Sequence, residues 1–169
     1  MTSTEIHLLL QRQFGDAVST IEPTVVDAKS LVAVCQFLRD DLRFDFLNGV
    51  CGVDYLGTDA KKVAKAGFEP HLEVVYHLSS FEFPGRRFAV KVLLPRWKDG
   101  VVGELPEVHT VSHLWRTADW HERETYDLVG IRFVNHPDPR RILLADDWVG
   151  HPLRKDYEYP LEYHDIRCR

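Results

Sequence analysis

Three sets of residues in this sequence carry side chains that could do chemistry. His121-Glu122 begins like the H-E-x-x-H motif of zinc proteases, but position 125 is a threonine, so the second histidine ligand is missing. Glu122 and Glu124 could act as general acid and base, yet side chains two residues apart point to different sides of a helix. His109 and His113 could share a metal ion if their stretch is helical, although a pair of histidines at or near the surface is commoner.

Nucleotide-binding and acyl-transfer motifs are absent from the sequence. It contains no G-x-G-x-x-G, no G-x-x-x-x-G-K-[ST] and no G-x-S-x-G. The sequence therefore shows no complete catalytic constellation, and no catalytic, cofactor-binding or metal-binding residue is predicted.

The residues that could do chemistry lie at the start of an unusually dense segment, 120–157. It opens with a charged helical run that ends at Gly130, since glycine readily adopts the left-handed conformation that stops a helix. Arginines, lysine, prolines and aromatics follow, and arginine and tryptophan are the residue types that anchor protein interfaces. This composition predicts a surface that another molecule covers. A tail packed on its own domain is the alternative.

A helix over 111–129, with Ser112 as a candidate cap, is predicted to carry the charged run. Glu122 interrupts its apolar stripe. A carboxylate there is costly unless a cation or backbone donors meet it, from this chain or from a partner. Arg123 and Asp127, four residues apart, could pair along the helix. A solvated, charged helix end is the other interpretation.

The remaining elements are read from periodicity and turn residues. The pattern predicts a first helix that ends at Phe14 and is capped by Ser3 or Thr4. It also predicts a second helix, with an apolar stripe on one side, that is capped by Asp27 and ends at Arg39-Asp40-Asp41. Strands are predicted over 18–26 (an edge strand interrupted by Pro23), 44–56 (with glycine bulges at 49 and 52), 71–79 and 87–94. A mobile connection is predicted over 58–70, and a loop over 97–107.

This order of elements favours a single α+β domain spanning 1–169. We expect two layers, with helices packed on a mainly antiparallel or mixed sheet, and an extended C-terminal interface segment. The net charge of −5 argues against a nucleic-acid partner. No apolar run is long enough for a membrane span, and the N-terminus lacks the basic region of a signal peptide. The three scattered cysteines are typical of reduced cytosolic thiols.

Segment 120–157 strongly resembles a known family. The runs E-R-E-T-Y-D-L-V-G-I-R-F, H-P-D-P-R-R-I-L and W-V-G-H-P-L-R-K-D-Y resemble the 30-kDa-type subunit of respiratory complex I, which in bacteria is the C subunit of NADH-quinone oxidoreductase. The likeness extends upstream through the strand around Val75-Tyr76-His77-Leu78. Val129 is a departure, because the family usually has an aromatic residue before the glycine. The resemblance assigns these signature residues: Glu122, Arg123, Glu124, Tyr126, Asp127, Gly130, His136, Pro137, Arg141, Arg154, Lys155 and Asp156.

The resemblance implies a subunit of a proton-translocating oxidoreductase that binds no flavin, iron–sulfur cluster or quinone itself. FMN, the clusters, NADH and quinone would be handled by other subunits. The implied partners are the hydrogenase-like large subunit, known as the D-type, and its cluster-bearing neighbour. The implied place is the cytoplasmic side of the bacterial inner membrane, with membrane contact only through the complex. The signature residues are expected to set the local fold and the docking surface.

Three alternatives stay open at this point. Membrane-bound hydrogenase-type and photosynthetic NDH complexes contain equivalent subunits with the same signature. A free-standing metal hydrolase built on His121, Glu122 and Glu124 would instead bind zinc tightly. A generic binding module with no enzyme context would behave as a stable single species without partners.

Overall fold

A three-stranded antiparallel sheet forms the centre of the computed structural model, which describes residues 1–20, 23–56 and 70–168. Its order is β1 (Phe46–Tyr55), β2 (His71–Ser79) and β3 (Arg87–Pro95). On β3 the side chains alternate between core and surface, whereas the central strand β2 buries residues on both faces. Three of the four predicted strands, 44–56, 71–79 and 87–94, are confirmed. Of the predicted connection, all but Pro70 lies outside the described residues.

The two glycines of β1 have different roles. The register between β1 and β2 shifts between Leu47 and Gly49, which confirms the bulge predicted there. The bulge predicted at Gly52 is wrong, because this residue pairs regularly with Val74. A helix packs directly over Gly52 instead, so glycine is needed there for a close approach and not for a break in the ladder.

The first two helices begin at residues other than the predicted caps. Helix α1 (Ser3–Phe14) is capped by Thr2, not by Ser3 or Thr4, because the Thr2 hydroxyl and the Glu5 carboxylate form a reciprocal capping box. Helix α2 (Leu31–Asp40) starts after Ser30, and Asp27 lies a turn earlier, where its carbonyl accepts from the Ser30 amide. The predicted stripe of α2 is buried as expected: Leu31, Val34, Cys35 and Leu38.

The third helix, α3 (Ala118–Val129), is shorter than predicted and carries the signature. Residues 111–117 form turns instead of helix, and Ser112 caps nothing. The cause is a contact that the periodicity could not reveal. The Glu122 carboxylate binds the backbone amide of Val111 at 2.8 Å, which requires the chain to bend back across the first turn of α3.

Short elements flank α3. Strands β4 (Glu107–His109) and β5 (Arg132–Val134) pair in parallel on either side of it in sequence, so they fix both of its ends. Two 3-10 turns (Gly15–Ala17 and Lys98–Gly100) and a small hairpin, β6 (Glu162–Tyr163) with β7 (Ile166–Arg167), complete the described elements. The predicted strand 18–26 is wrong. Its described residues form only isolated bridges, one between Val25 and Lys91 on β3.

One apolar cluster draws on all three helices and on the sheet. Helix α3 packs on β1, and residues 135–161 run over the domain without helix or strand. The architecture is the predicted α+β arrangement, with helices on an antiparallel sheet and an extended C-terminal segment.

Candidate functional site

Glu122 is fully buried at the centre of α3's inner face. Its carboxylate accepts hydrogen bonds from the Thr110 hydroxyl and from the amide of Val111. The ring of His136 lies nearby, with Nε2 3.8 Å from the carboxylate. The sequence predicts that a cation or backbone donors, from this chain or a partner, meet this carboxylate; the structure shows one backbone donor, the Val111 amide, from this chain.

Burial raises the pKa of the Glu122 carboxyl from 4.5 to about 7, because an ionised carboxylate loses its hydration there. The bonds from Thr110 and Val111 oppose this rise in pKa, and the nearby charge of Asp119 adds to it. The charge of Glu122 also affects two further buried groups. Burial raises the pKa of the Tyr76 hydroxyl and that of the Cys35 thiol, and the Glu122 charge raises both further.

The ring of His136 joins α3 to the turn that follows β5. Its Nδ1 accepts from the amide of Asp138 at 3.0 Å, so the neutral ring carries its proton on Nε2. That nitrogen donates to the carbonyl of Asp119 at 3.1 Å. His136 is therefore a buried, bonded link between two elements, whereas its neighbour Pro137 is exposed.

Asp127 organises the segment after the turn. It is fully buried, and Oδ2 accepts from three consecutive amides, those of Ile142, Leu143 and Leu144, at 2.8–3.0 Å. Burial alone would raise the pKa of this carboxyl. The three amides and the Arg141 guanidinium more than offset that effect, so its pKa lies below the usual value. The backbone of residues 141–144 therefore bends around the Asp127 carboxylate.

Arg141 and His151 fasten this fold to the end of α3. The Arg141 guanidinium donates to the Asp127 carboxylate and also to the carbonyl of Gly150 at 3.0 Å. His151 Nδ1 donates to the Asp127 carbonyl at 2.9 Å, and its ring lies against Gly130 and half-buried Tyr126. Gly130 is left-handed, as predicted, with φ 75°.

Arg123 does not pair with Asp127, so the predicted pair along the helix is wrong. Its guanidinium donates to the carbonyls of Arg140 and Arg141, at 3.1 and 3.0 Å, and lies 3.3 Å from the Asp138 carboxylate. The three amides and Arg141 already occupy the Asp127 carboxylate. Glu124, on the opposite side of α3 from Glu122, is exposed.

A second charge network anchors the end of the signature to the sheet. Arg96 binds the Asp54 carboxylate through both terminal nitrogens and contacts Asp156 at 2.7 Å. Asp156 also accepts from Arg154 Nε at 3.2 Å, and the Lys155 amide donates to Asp54 at 2.8 Å. Only the backbone of Lys155 takes part, and the residue itself is exposed. Strand β1 and the C-terminal segment are thereby joined across about a hundred residues of sequence.

Sequence reasoning missed Asp54, Arg96 and Thr110 as members of these networks. A single charged residue inside an otherwise uncharged strand, as Asp54 is in β1, is the kind of signal that could have indicated a buried pair. Thr110 gave no such signal, because threonine is common at the end of a strand.

The residues first considered for chemistry are not brought together. Glu122 and Glu124 lie on opposite sides of α3, and His109 and His113 are both exposed on non-helical backbone. In the described ranges, no group of three or more His, Cys, Asp or Glu side chains is placed to hold a metal ion.

The C-terminal segment exposes a set of large apolar side chains. Their exposed fractions reach 85% at Val149 and 73% at Leu161. The exposed members are Leu143, Val149, Leu153, Tyr159, Leu161 and Ile166. Exposed apolar side chains of this size are a feature of contact surfaces where they lie together.

Comparison with known proteins gives consistent matches. The family model described as respiratory-chain NADH dehydrogenase, 30 Kd subunit, matches residues 24–163. The NADH-quinone oxidoreductase C subunit of Geotalea uraniireducens (strain Rf4) is 44% identical over 92% of this chain and 87% of its own. The corresponding protein of Chloroherpeton thalassium (strain ATCC 35110 / GB-78) is 38% identical over 94% of this chain, which spans only 62% of that relative.

A solved structure also matches. A trypsin-resistant fragment of Nqo5 is similar with a TM-score of 0.58 and 28% identity, over 81% of this chain and 99% of the fragment.

Proposed function

Because this chain belongs to the respiratory-chain NADH dehydrogenase 30 Kd subunit family, we propose that it is a peripheral-arm subunit of a proton-translocating NADH:quinone oxidoreductase that acts by scaffolding. It holds its neighbours in place while electrons pass from NADH to quinone through the FMN and iron–sulfur clusters of other subunits. It binds none of these cofactors itself.

The observation that carries this proposal is the way in which the signature charges are used. Glu122, Asp127 and Arg154 are buried, and their bonds run to groups of this same chain. Asp127 and Arg154 fix an irregular C-terminal segment that exposes several apolar side chains. Such a segment bonds its buried carboxylate within the chain and exposes apolar side chains, which suits a permanent contact between subunits.

The proposed partners are the hydrogenase-like large subunit of the D-type and its cluster-bearing neighbour. The exposed signature residues Glu124, Pro137 and Lys155 belong to the docking surface, and the buried ones shape it. The proposed place is the cytoplasmic side of the inner membrane. Within the described ranges, each helix is too short or too polar to span a bilayer.

A complementation experiment tests this role. A strain that lacks this chain receives the wild type, Lys155→Glu, or the control Lys29→Glu, which reverses a charge outside the signature. Membranes are then assayed for NADH:quinone activity and for NADH:ferricyanide activity, which needs only the flavin end. We expect Lys155→Glu to lower both membrane-bound activities severalfold and Lys29→Glu to lower neither. Full quinone activity without any copy of this chain would contradict the proposal.

A further inference from the structure

Three polar side chains lead from the buried face of α3 to the protein surface. Glu122 has no exposed surface, and its Oε2 is hydrogen-bonded to the Thr110 hydroxyl, which is itself buried. The Thr110 hydroxyl in turn lies 2.9 Å from the Ser112 hydroxyl. Ser112 is half-buried and lines a surface cavity of about 320 Å³, together with Arg116 and Asn135. Hydrogen bonds therefore connect a buried carboxyl to a cavity at the surface.

This chain of hydrogen bonds is complete in either protonation state of Glu122. The Thr110 hydroxyl has a single proton but two acceptors within reach, Glu122 Oε2 and Ser112 Oγ. When the carboxyl is ionised, Thr110 donates to Glu122. When the carboxyl is neutral, it donates to Thr110, which then donates to Ser112. The amides of Val111 and Ser112 keep their acceptors, Glu122 Oε1 and Thr110 Oγ1, in both states. A change of protonation therefore reverses hydroxyl groups and leaves the backbone bonds in place.

Four other titratable side chains surround the Glu122 carboxyl. They are Asp119 of α3 itself, His136 after β5, Cys35 of α2 and Tyr76 of β2. His136 Nε2 lies 3.8 Å from Glu122 Oε2, which is too far for a hydrogen bond, and it donates to the Asp119 carbonyl instead. Cys35 and Tyr76 are fully buried, so neither connects the carboxyl to solvent. Among the described residues, none of the four side chains is hydrogen-bonded to a Glu122 oxygen.

A larger cavity, of about 410 Å³, also borders Glu122. Its charged and titratable walls, besides His136, are Glu104, Glu107, Arg123, Tyr126 and Arg132. Glu122 has no surface exposed to this cavity, and no side chain of the set is hydrogen-bonded to a Glu122 oxygen within the ranges that the structure describes. Thr110 is therefore the hydroxyl that connects Glu122 to the outside.

We propose that Glu122 is a pH-sensitive element whose proton passes between the interior and solvent through Thr110 and Ser112, without opening of the fold. As the carboxyl gives its proton to Thr110, the hydroxyl proton of Thr110 moves to Ser112, and that of Ser112 moves to water in the cavity. Each hydroxyl ends with one proton, and the negative charge stays on Glu122. The junction between β4 and α3 thus follows the surrounding pH while it remains folded. This inference goes beyond the scaffolding role and does not rest on it.

A rapid pH jump on the purified full-length chain tests this path. A caged acid releases protons after a laser flash, and time-resolved infrared spectroscopy follows the carboxyl C=O band of Glu122. Glu122→Gln identifies this band by its absence. Each protein is measured at the midpoint of its own Glu122 titration, so that a shift of the equilibrium does not enter the comparison of rates.

Three matched changes to valine remove one hydroxyl each. Thr110→Val removes the first hydroxyl of the path, and Ser112→Val removes the second while it leaves the bond between Thr110 and Glu122 in place. Thr117→Val is the control, because its hydroxyl donates to the Leu47 carbonyl and lies outside the path. Since each path variant removes one hydrogen bond from the route, we expect it to slow the relaxation by about tenfold or more. Thr117→Val and the conservative Thr110→Ser should relax at the wild-type rate, and Ser112→Val should keep the midpoint of the Glu122 titration.

A wild-type rate in either Thr110→Val or Ser112→Val would overturn the inference, because the proton would then leave by opening of the fold or through the larger cavity. Equal slowing in Thr117→Val would also overturn it, since the effect would then reflect a general loss of structure. A Glu122 band that does not respond to the jump would do the same. If Thr110→Val does not fold, Ser112→Val, at a half-buried position, decides the outcome.

Discussion

The guanidinium of Arg141 lies 2.7 Å from the carboxylate of Asp127, which sits fourteen residues earlier in the signature. The same carboxylate also receives three successive amides from the residues after Arg141. A helix residue thus determines the path of an irregular segment. Asp127 and Arg141 therefore act on the fold of this chain, and under the proposed function the surface that they shape is the docking surface.

Asp127→Asn should destabilise the isolated chain by roughly 2–3 kcal/mol, because a carboxylate bonded to three amides is replaced by a group that presents its own N–H donors to some of them. The free energy of unfolding from urea titration at pH 7 measures this. The folded pKa of Asp127 is depressed, so its contribution is present at neutral pH and is lost as the pH falls through about 4 and below. The gap between wild type and variant should therefore shrink in acid. Glu124→Gln, an exposed change on the same helix, is the control, and an equal effect there would contradict the assignment.

The contribution of Glu122 to the free energy of unfolding should change with pH in the direction opposite to that of Asp127. Its folded pKa, about 7, lies above the ordinary value of 4.5, so the folded state binds the proton more tightly. The stabilisation is complete below about 4.5 and is lost as the pH rises through 7. This difference between the folded pKa and the ordinary pKa of Glu122 corresponds to roughly 3 kcal/mol of unfolding free energy.

Glu122→Gln isolates this effect, since a neutral amide can accept from the Val111 amide and donate to the Thr110 hydroxyl. We expect the variant to match the wild type near pH 5 and to exceed it in unfolding free energy by up to about 3 kcal/mol near pH 8. Urea titrations at both pH values give the comparison. A constant difference between the two proteins across this range would show that Glu122 does not titrate there.

Gly130 has both a positive φ and a close neighbour, the His151 ring, and a pair of variants can separate the effects of the two. A Cβ at this left-handed position would lie 2.5 Å from the His151 ring, whereas a Cβ at Gly85, also with positive φ, would meet nothing within 4 Å. Gly85→Ala should cost about 1 kcal/mol of unfolding free energy from backbone strain alone, and Gly130→Ala should cost about 2–4 kcal/mol. Thermal and urea unfolding of both proteins decide this. Equal losses would mean that His151 moves aside freely.

The two glycines of β1 offer a similar comparison. A Cβ at Gly52 would lie 2.8 Å from Thr125 Cγ2 and 3.0 Å from Val129 Cγ2, while Gly49 has open space. Gly52→Ala should lower the unfolding free energy by about 1–3 kcal/mol through overpacking of α3 on β1. Gly49→Ala should stay within about 0.5 kcal/mol of wild type. A neutral Gly52→Ala would show that α3 shifts without cost.

The sequence predicted those features that depend on local pattern. The three sheet strands, the buried stripe of α2 and the stop of α3 at Gly130 all follow from alternation, helical spacing and glycine chemistry. The errors arose where a distant partner overrides the local rule. Val111 leaves the predicted helix because Glu122 binds its amide, and Asp127 pairs with Arg141 in place of Arg123. Spacing along one element cannot reveal a loop that folds back on it.

Purification of the tagged, full-length chain from its native membranes tests the central claim most directly. The preparation is analysed by mass spectrometry and assayed for NADH:quinone activity. We predict recovery with flavin- and cluster-bearing subunits, including a hydrogenase-like large subunit of the D-type, and with NADH:quinone turnover. Recovery with hydrogenase-like subunits that do not oxidise NADH would transfer the scaffolding role to a hydrogenase-type complex. Recovery of this chain alone, as a stable single species, would contradict the claim that its C-terminal segment is a docking surface in a respiratory complex.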